Sequence, residues 1–259
     1  MASETSMQPA QDSTAAAVVT PPERADEIFL DGPNSRFAEF CTLLRVMRDF
    51  LRGYRALHFV GPCVTVFGSA RIKPDDPHYE LARKMGAAIA RLGFTVMTGG
   101  GPGIMEAANR GACDAGGKTV GLNIGLPFEQ RPNPFVTPEL NFEFHYFFMR
   151  KFWFAYLAKA LVVFPGGFGT LDELTEILTL VQTQKLMKRM VVVLYGTTFW
   201  KEVINFDALV RHGMIAADDL NLFQFADDVD TAFRELEAGL TRYYLQDEQD
   251  LPGIAKSQV

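Results

Sequence analysis

The chain has 259 residues, a net charge of −6, and 48% hydrophobic against 22% charged residues. This suits one α/β domain with a full-sized core and argues against nucleic acid or an acidic membrane as partner. Three cysteines (Cys41, Cys63, Cys113), odd in number and in no CxxC pair, speak against a disulfide scaffold and for a reduced, cytoplasmic setting. The first residues carry Glu4, Asp12, Glu23 and Asp26 with no apolar segment between them, so they do not read as a secretory signal. No apolar run approaches the ~20 residues of a membrane span.

Residues 1–33, rich in Ala, Ser, Thr, Pro and Gln, read as a disordered tail. A helical extension follows over 34–60. Within it Phe37, Phe40, Leu43, Leu44, Met47, Phe50 and Leu51 recur three and four apart and predict an amphipathic helix over 35–53. From residue 61 to 245 strand and helix alternate. Strands are expected at 63–67, 94–97, 119–123, 142–144, 160–164, 190–194 and 222–225. Helices are expected at 77–92, 103–115, 146–159, 170–186, 198–211 and 227–244. Pro127, Pro132, Pro134 and Pro138 predict an irregular loop before the fourth strand, and residues 246–259 read as a C-terminal tail. Repeated β–α alternation implies a single α/β domain, a Rossmann-like doubly wound parallel sheet with helices on both faces. Ligands then bind where loops leave the C-terminal ends of the strands.

Three of those loops are built of glycine and small residues: Gly68-Ser69-Ala70-Arg71, Gly99-Gly100-Gly101-Pro102-Gly103 and Pro165-Gly166-Gly167-Phe168-Gly169-Thr170. A single such turn needs no more explanation than sterics. Three at one sheet edge bring backbone N–H groups and helix N-termini together, which is the chemistry of an anion cradle. The first turn is not G-x-G-x-x-G, and no G-x-x-x-x-G-K-[ST] loop is present. The ligand expected is therefore a mononucleotide or sugar phosphate rather than a dinucleotide or a hydrolysed triphosphate.

Glu173 sits one turn into the helix after the third loop, and Glu176 shares its face. Asp172 points elsewhere and is expected to be solvated. Two cations, Arg150 and Lys151, follow Met149 in a helix crowded with Phe147, Phe148, Phe152, Trp153, Phe154 and Tyr156. In such surroundings they need anionic partners, which the two glutamates can supply. Glu106 reads as an N-terminal helix acid, and His145 as a packing or capping residue. His58, His78, His145 and His212 show no metal-ligand spacing, so no metal is expected.

These segments resemble the Lonely Guy (LOG) family. Pro165–Glu173 matches its P-G-G-x-G-T-x-x-E motif at every fixed position, Arg150-Lys151 matches its R-K pair, and Gly99 to Asn109 looks like the triple-glycine element of its bacterial branch. The resemblance covers about Gly61 to Tyr195; residues 1–60 depart from the shortest members. It implies at least a homodimer, no cofactor, and hydrolysis of the N-glycosidic bond of a nucleoside 5′-monophosphate, in plants and some microbes a cytokinin riboside monophosphate. The label "lysine decarboxylase" that many relatives carry finds no pyridoxal-phosphate site to support it. The resemblance and the residues together assign Glu173 to stabilising the ribosyl cation and activating water, with Glu176 holding ribose or water. Arg150 would orient that carboxylate or assist base departure. Gly166, Gly167, Gly169 and Thr170 would hold the 5′-phosphate. Ser69, Gly100, Gly101, Gly103, Met149 and Lys151 complete the expected substrate site. Two alternatives stand beside this reading: a non-catalytic nucleotide binder or molybdenum-cofactor carrier, and a housekeeping AMP or GMP nucleosidase.

Overall fold

The computed structural model describes residue 30, residues 32–124 and residues 132–245. Nearly all of the two expected tails, and Pro127 of the Pro-rich loop, lie outside the described residues. Seven strands form one sheet: β1 (Cys63–Phe67), β2 (Thr95–Thr98), β3 (Thr119–Ile124), β4 (Asn141–Phe144), β5 (Ala158–Val163), β6 (Val191–Tyr195) and β7 (Gln224–Ala226). Their order is β4-β3-β2-β1-β5-β6-β7, and every neighbouring pair is parallel. The chain thus walks outward from β1 to β4, then returns to lay β5 on the free side of β1. That reversal is the topological switch point, where a crevice opens above the strand ends.

Alternation along the strands sends side chains into two cores. Val64, Val66, Ala160, Val162, Val191 and Val193 face the cluster built with α2 (Pro77–Arg91), α3 (Ile104–Asp114) and α8 (Val229–Leu240). Cys63, Phe67, Leu161, Val163, Val192 and Leu194 face α4 (Phe147–Leu157), α5 (Phe168–Gln182) and α6 (Thr197–Val203). Both faces of the central strands are covered, which is why these strands read as unbroken apolar runs. Helices α2 and α3 touch backbone to backbone: a Cβ on Gly86 would collide with the Ala108 carbonyl.

The N-terminal extension is one helix, α1 (Arg36–Leu57), capped by Ser35, whose hydroxyl accepts from the Ala38 N–H at 3.3 Å. It lies on α4. Phe50 meets Phe152 edge-on at 5.1 Å and Tyr54 meets Trp153 at 4.9 Å. A Cβ on Gly53 would run into the Trp153 ring.

The structure moves several expected boundaries. The single helix expected over 198–211 is two, α6 and α7 (Phe206–Arg211), because Asn205 turns its carboxamide onto the Ala208 N–H at 2.9 Å and starts a new helix. Helix α4 ends at Leu157 and β5 begins at the next residue. The Lys188 ammonium donates to the terminal carbonyls of Ala155 (2.6 Å) and Tyr156 (2.9 Å), closing α4 early. Helix α5 starts two residues sooner than expected and stops at Gln182, beyond which Gln184 takes a left-handed φ of 56°.

Candidate active site

The turns after β1 and β5 are stitched together. Phe164 N–H donates to the Phe67 carbonyl (2.8 Å), and Ser69 N–H donates to the Pro165 carbonyl (3.0 Å). The third turn, after β2, is tied in through the Ile104 N–H, which donates to the Ser69 carbonyl at 3.1 Å. Gly103 makes this approach possible: its φ is +68°, and a Cβ there would strike the Ser69 carbonyl oxygen. Above these turns opens a cavity of about 630 Å³.

Six residues expected from sequence line this cavity: Ser69, Arg150, Gly167, Gly169, Thr170 and Glu173. Helix α5 starts there on Gly167 with no side-chain cap, so its first N–H groups are left for a ligand. Gly166 lies against the Thr170 side chain, where a Cβ would collide with it. The remaining expected residues stand behind the wall. Gly100 N–H donates to Thr98 Oγ1 (3.0 Å), and the Gly101 carbonyl accepts from Asn133 Nδ2 (3.0 Å), so these glycines and Gly103 shape the loop. Met149 is fully buried in the core. Lys151 Nζ sits 2.7 Å from both Asp172 Oδ2 and Glu176 Oε2 and clamps α4 to α5. Asp172 is solvated as expected, its side chain nearly half exposed, but it is also paired, because a cation reaches it from another helix. Glu106 accepts from Tyr79 OH at 2.8 Å, and His145 Nδ1 lies 2.8 Å from Asp49 Oδ2, joining α4's entry to α1.

Glu173 is the centre of the electrostatics. Its residue is only 2% exposed, and its Oε1 has no hydrogen-bond partner among the described residues. Arg150 Nη2 lies 4.0 Å from that oxygen, and its guanidinium rests 4.4 Å above the Phe147 ring. Burial pushes the Glu173 carboxyl up from 4.5 to about 7, against the pull of Arg150 and Lys151 and aided by Glu176 and Asp172. At neutral pH this group therefore holds and releases a proton with nearly equal ease, the condition for acid–base work. Lys151 behaves in the opposite sense. Burial opposes its charge, yet the hydrogen bonds it donates to Asp172 and Glu176 and the charge of Glu173 outweigh that and raise its pKa.

Sequence reasoning placed Arg71, Gly99 and Phe168 in the three turns but gave none of them, nor Met105, an individual place in the substrate site; all four line the cavity. Arg71 belongs to the first glycine turn, and its position one residue from the strand-end cradle was the available signal. Met105 and Phe168 hold first-turn positions of α3 and α5, the places that face a ligand at a helix N-terminus. Among the described residues no cluster of His, Cys, Asp or Glu could hold a metal, and no helix is long and apolar enough to cross a membrane.

A family profile described as "Possible lysine decarboxylase" matches residues 105–236. The chain is 36% identical over 119 residues to the cytokinin riboside 5′-monophosphate phosphoribohydrolase of Rhodococcoides fascians, covering 45% of this chain and 59% of that one. It is 28% identical over 162 residues to the pyrimidine/purine nucleotide 5′-monophosphate nucleosidase of Escherichia coli K12, covering 56% of this chain and 34% of that one. Against the rice phosphoribohydrolase LOG the identity is 29% over 170 residues, covering 64% of this chain and 68% of the other. The match thus spans less than two thirds of the first two relatives. A solved structure of the molybdenum cofactor binding protein of Rippkaea orientalis shares the fold, with a TM-score of 0.51 and 20% identity over 70% of this chain and 98% of that one.

Proposed function

The chain belongs to the Lonely Guy family, whose profile carries the description "Possible lysine decarboxylase", and on that premise we propose that it hydrolyses the N-glycosidic bond of nucleoside 5′-monophosphates, of the cytokinin riboside or AMP type, to free base and ribose 5-phosphate. The observation that carries the reading is Glu173: a buried carboxyl raised to about 7, 4.0 Å from Arg150, on the wall of a cavity that also holds the uncapped start of α5.

The 5′-phosphate rests on the N–H groups at Gly167, Phe168 and Gly169 with the Thr170 and Ser69 hydroxyls beside it, and Arg71 adds a cation at the rim. The ribose then lies toward Glu173. As the bond from C1′ to the base nitrogen breaks, its electron pair leaves with the base, and positive charge grows on C1′ and the ring oxygen. The ionised Glu173 carboxylate stabilises that charge and takes a proton from the water that attacks C1′. Arg150 holds the carboxylate in place and offers a hydrogen bond to the departing base. Glu176 acts at one remove, through Lys151, by fixing α5 against α4. Phe168 and Met105 give the base an apolar contact surface.

The test is incubation of the purified protein with AMP, GMP, CMP and isopentenyladenosine monophosphate, measuring released base and ribose 5-phosphate. Release from at least one, abolished in a folded Glu173→Gln variant, is the expected result. No release from any of them would move the chain to the non-catalytic nucleotide or molybdenum-cofactor binder.

A further inference from the structure

The turn after β2 opens with Gly99-Gly100-Gly101. Glycine has more backbone freedom than any other residue, so such a turn does not hold one shape by itself. Its shape is imposed by three buried side chains from three elements: Thr98 at the end of β2, Asn109 on α3 and Asn133 on the segment that leads toward β4. Thr98 Oγ1 accepts from the Gly100 N–H (3.0 Å) and donates to Asn109 Oδ1 (2.6 Å). Asn133 Nδ2 donates to the same Oδ1 (3.1 Å) and to the Gly101 carbonyl (3.0 Å). The Asn133 N–H donates to the Gly100 carbonyl at 2.8 Å. Gly100 is thereby held at its N–H and its carbonyl, and Gly101 at its carbonyl.

The turn bears on the candidate active site through Gly99, which lines the cavity. A Cβ built on Gly99 would lie 2.9 Å from Met105 Sδ and 4.0 Å from Arg150 Nη1. The backbone of the turn is thus a surface against which both side chains rest. Fold stability alone does not account for the network that holds it. Asn109 is fully buried, and its Nδ2 has no partner among the described residues. An unpaired buried donor is costly, and a partly satisfied network serves folding less well than apolar packing would. Departures of this kind collect where function requires them.

We propose that Thr98, Asn109 and Asn133 are positioning residues of the candidate active site: acting through the triple-glycine turn, they set where Arg150 and Met105 stand against the base and C1′ of the substrate. What Arg150 and Met105 do there rests on the hydrolytic reading above. The phosphate subsite is a separate matter. Its N–H groups belong to the start of α5, which shares no hydrogen bond with Gly99, Gly100 or Gly101 among the described residues. Loss of the network should therefore act on the base end of the substrate and spare the phosphate end.

The experiment compares full-length wild type with Thr98→Val, which keeps the shape and removes the hydroxyl, Thr98→Ser, which keeps the hydroxyl, and Asn133→Ala, which cuts the network from its other end. Initial rates are measured on the nucleoside monophosphate that wild type hydrolyses best. Calorimetry gives the Kd of AMP and of ribose 5-phosphate, which carries the phosphate and no base. Far-UV circular dichroism and melting establish that each variant is folded; should Thr98→Val not fold, Asn133→Ala decides. In Thr98→Val and Asn133→Ala, kcat is expected to fall and the AMP Kd to weaken, each by about tenfold, since small misplacements of catalytic groups cost this much or more. The ribose 5-phosphate Kd should stay within about twofold of wild type, and Thr98→Ser should recover most of the loss. Unchanged kcat and AMP affinity in a variant that only melts earlier would overturn the proposal and leave the network a fold-stabilising one. Equal weakening of AMP and ribose 5-phosphate, or a Thr98→Ser variant as impaired as Thr98→Val, would overturn it too. A wild type that binds AMP without cleaving any monophosphate would remove the hydrolytic reading alone, and the contrast between the two affinities would still decide the positioning role.

Discussion

Glu173→Gln should make the protein more stable above neutral pH, and the gain can be worked from the site. Two effects compete at the carboxyl. The Arg150 guanidinium at 4.0 Å attracts a carboxylate by roughly 4 kcal/mol at an effective dielectric of about 20. Removing the carboxylate from water costs several kcal/mol, and the attraction of Lys151 is already shared with Asp172 and Glu176. Burial wins, and the pKa stands at about 7 in the folded chain against 4.5 for an ordinary glutamate. The native state therefore keeps a proton that the unfolded chain gives up. The stability this confers is complete below pH 4.5 and is lost as pH rises to about 7, at about 1.4 kcal/mol per pH unit. Beyond pH 7 the loss levels off near 3 kcal/mol. Glutamine does not titrate, so the variant escapes this slope. Its stability relative to wild type should be about 3 kcal/mol more favourable at pH 8 than at pH 4.5, or roughly 6–12 °C in Tm for a domain of this size. Urea denaturation of both proteins at half-unit pH steps measures the difference directly, and any fixed effect of the amide cancels. A difference that stays flat with pH would show that Glu173 is ionised throughout and that Arg150, not burial, sets its state. The same variant should lack turnover.

Four further outcomes follow from the geometry. If the ionised carboxylate is the working form, kcat/KM should rise with pH through a midpoint near 7, whereas a fall across that range would make Glu173 a general acid. Arg150→Met removes the cation that holds this pKa down, so the midpoint should move upward while kcat falls by about 10²-fold; an unmoved midpoint would break the link between the two residues. Arg71→Ala and Thr170→Ala should each raise KM for a nucleoside monophosphate by about tenfold with kcat little changed, measured by initial rates, and an unaltered KM would remove that residue from the phosphate subsite. Gly103→Ala should destabilise the fold by more than about 2 kcal/mol in chemical denaturation, because its left-handed φ and the Ser69 carbonyl leave no room for a methyl group.

The parallel sheet was legible because covered strands are apolar without interruption and the helices between them keep a 3.6-residue period. The glycine turns were legible as a group for a related reason: the strand that precedes each one fixes which edge of the sheet it occupies. What escaped were contacts between elements far apart in sequence. Asp172 is solvated as it looked, but its pairing escaped because Lys151 lies on the preceding crossover helix, and only the fold brings the two within 2.7 Å. Met149 looked like part of the site because it adjoins Arg150, yet a helix turns its neighbours about 100° apart, and that rotation sends Met149 into the core. Gly100, Gly101 and Gly103 carried a correct signal for a loop under steric pressure. Sequence cannot say whether the pressing group is a ligand or, as at Gly103, the backbone of Ser69. The break at Asn205 was visible only as one polar residue in an otherwise helical run, too weak a signal against the apolar positions on either side.

The charges around the cavity suggest why the fold tolerates a carboxyl that weakens it above pH 7. Helix α5 brings three acids, Asp172, Glu173 and Glu176, close to the place where a phosphate dianion would rest. Lys151 is committed to the first and third of these, at 2.7 Å each, which leaves Arg150 to face Glu173. A bound phosphate would raise the pKa of Glu173 further, since like charges disfavour ionisation. The N-terminus of α5, with about half a unit of positive charge, and Arg71 at the rim oppose that effect by neutralising the phosphate where it sits. Under the proposed hydrolysis, the sugar cation that develops as the base departs would also oppose it and pull the carboxyl toward its ionised form. On that proposal the carboxylate is in poor balance without substrate and would be in good balance at the transition state. Interactions stronger in the transition state than in the ground state are the ones that accelerate a reaction.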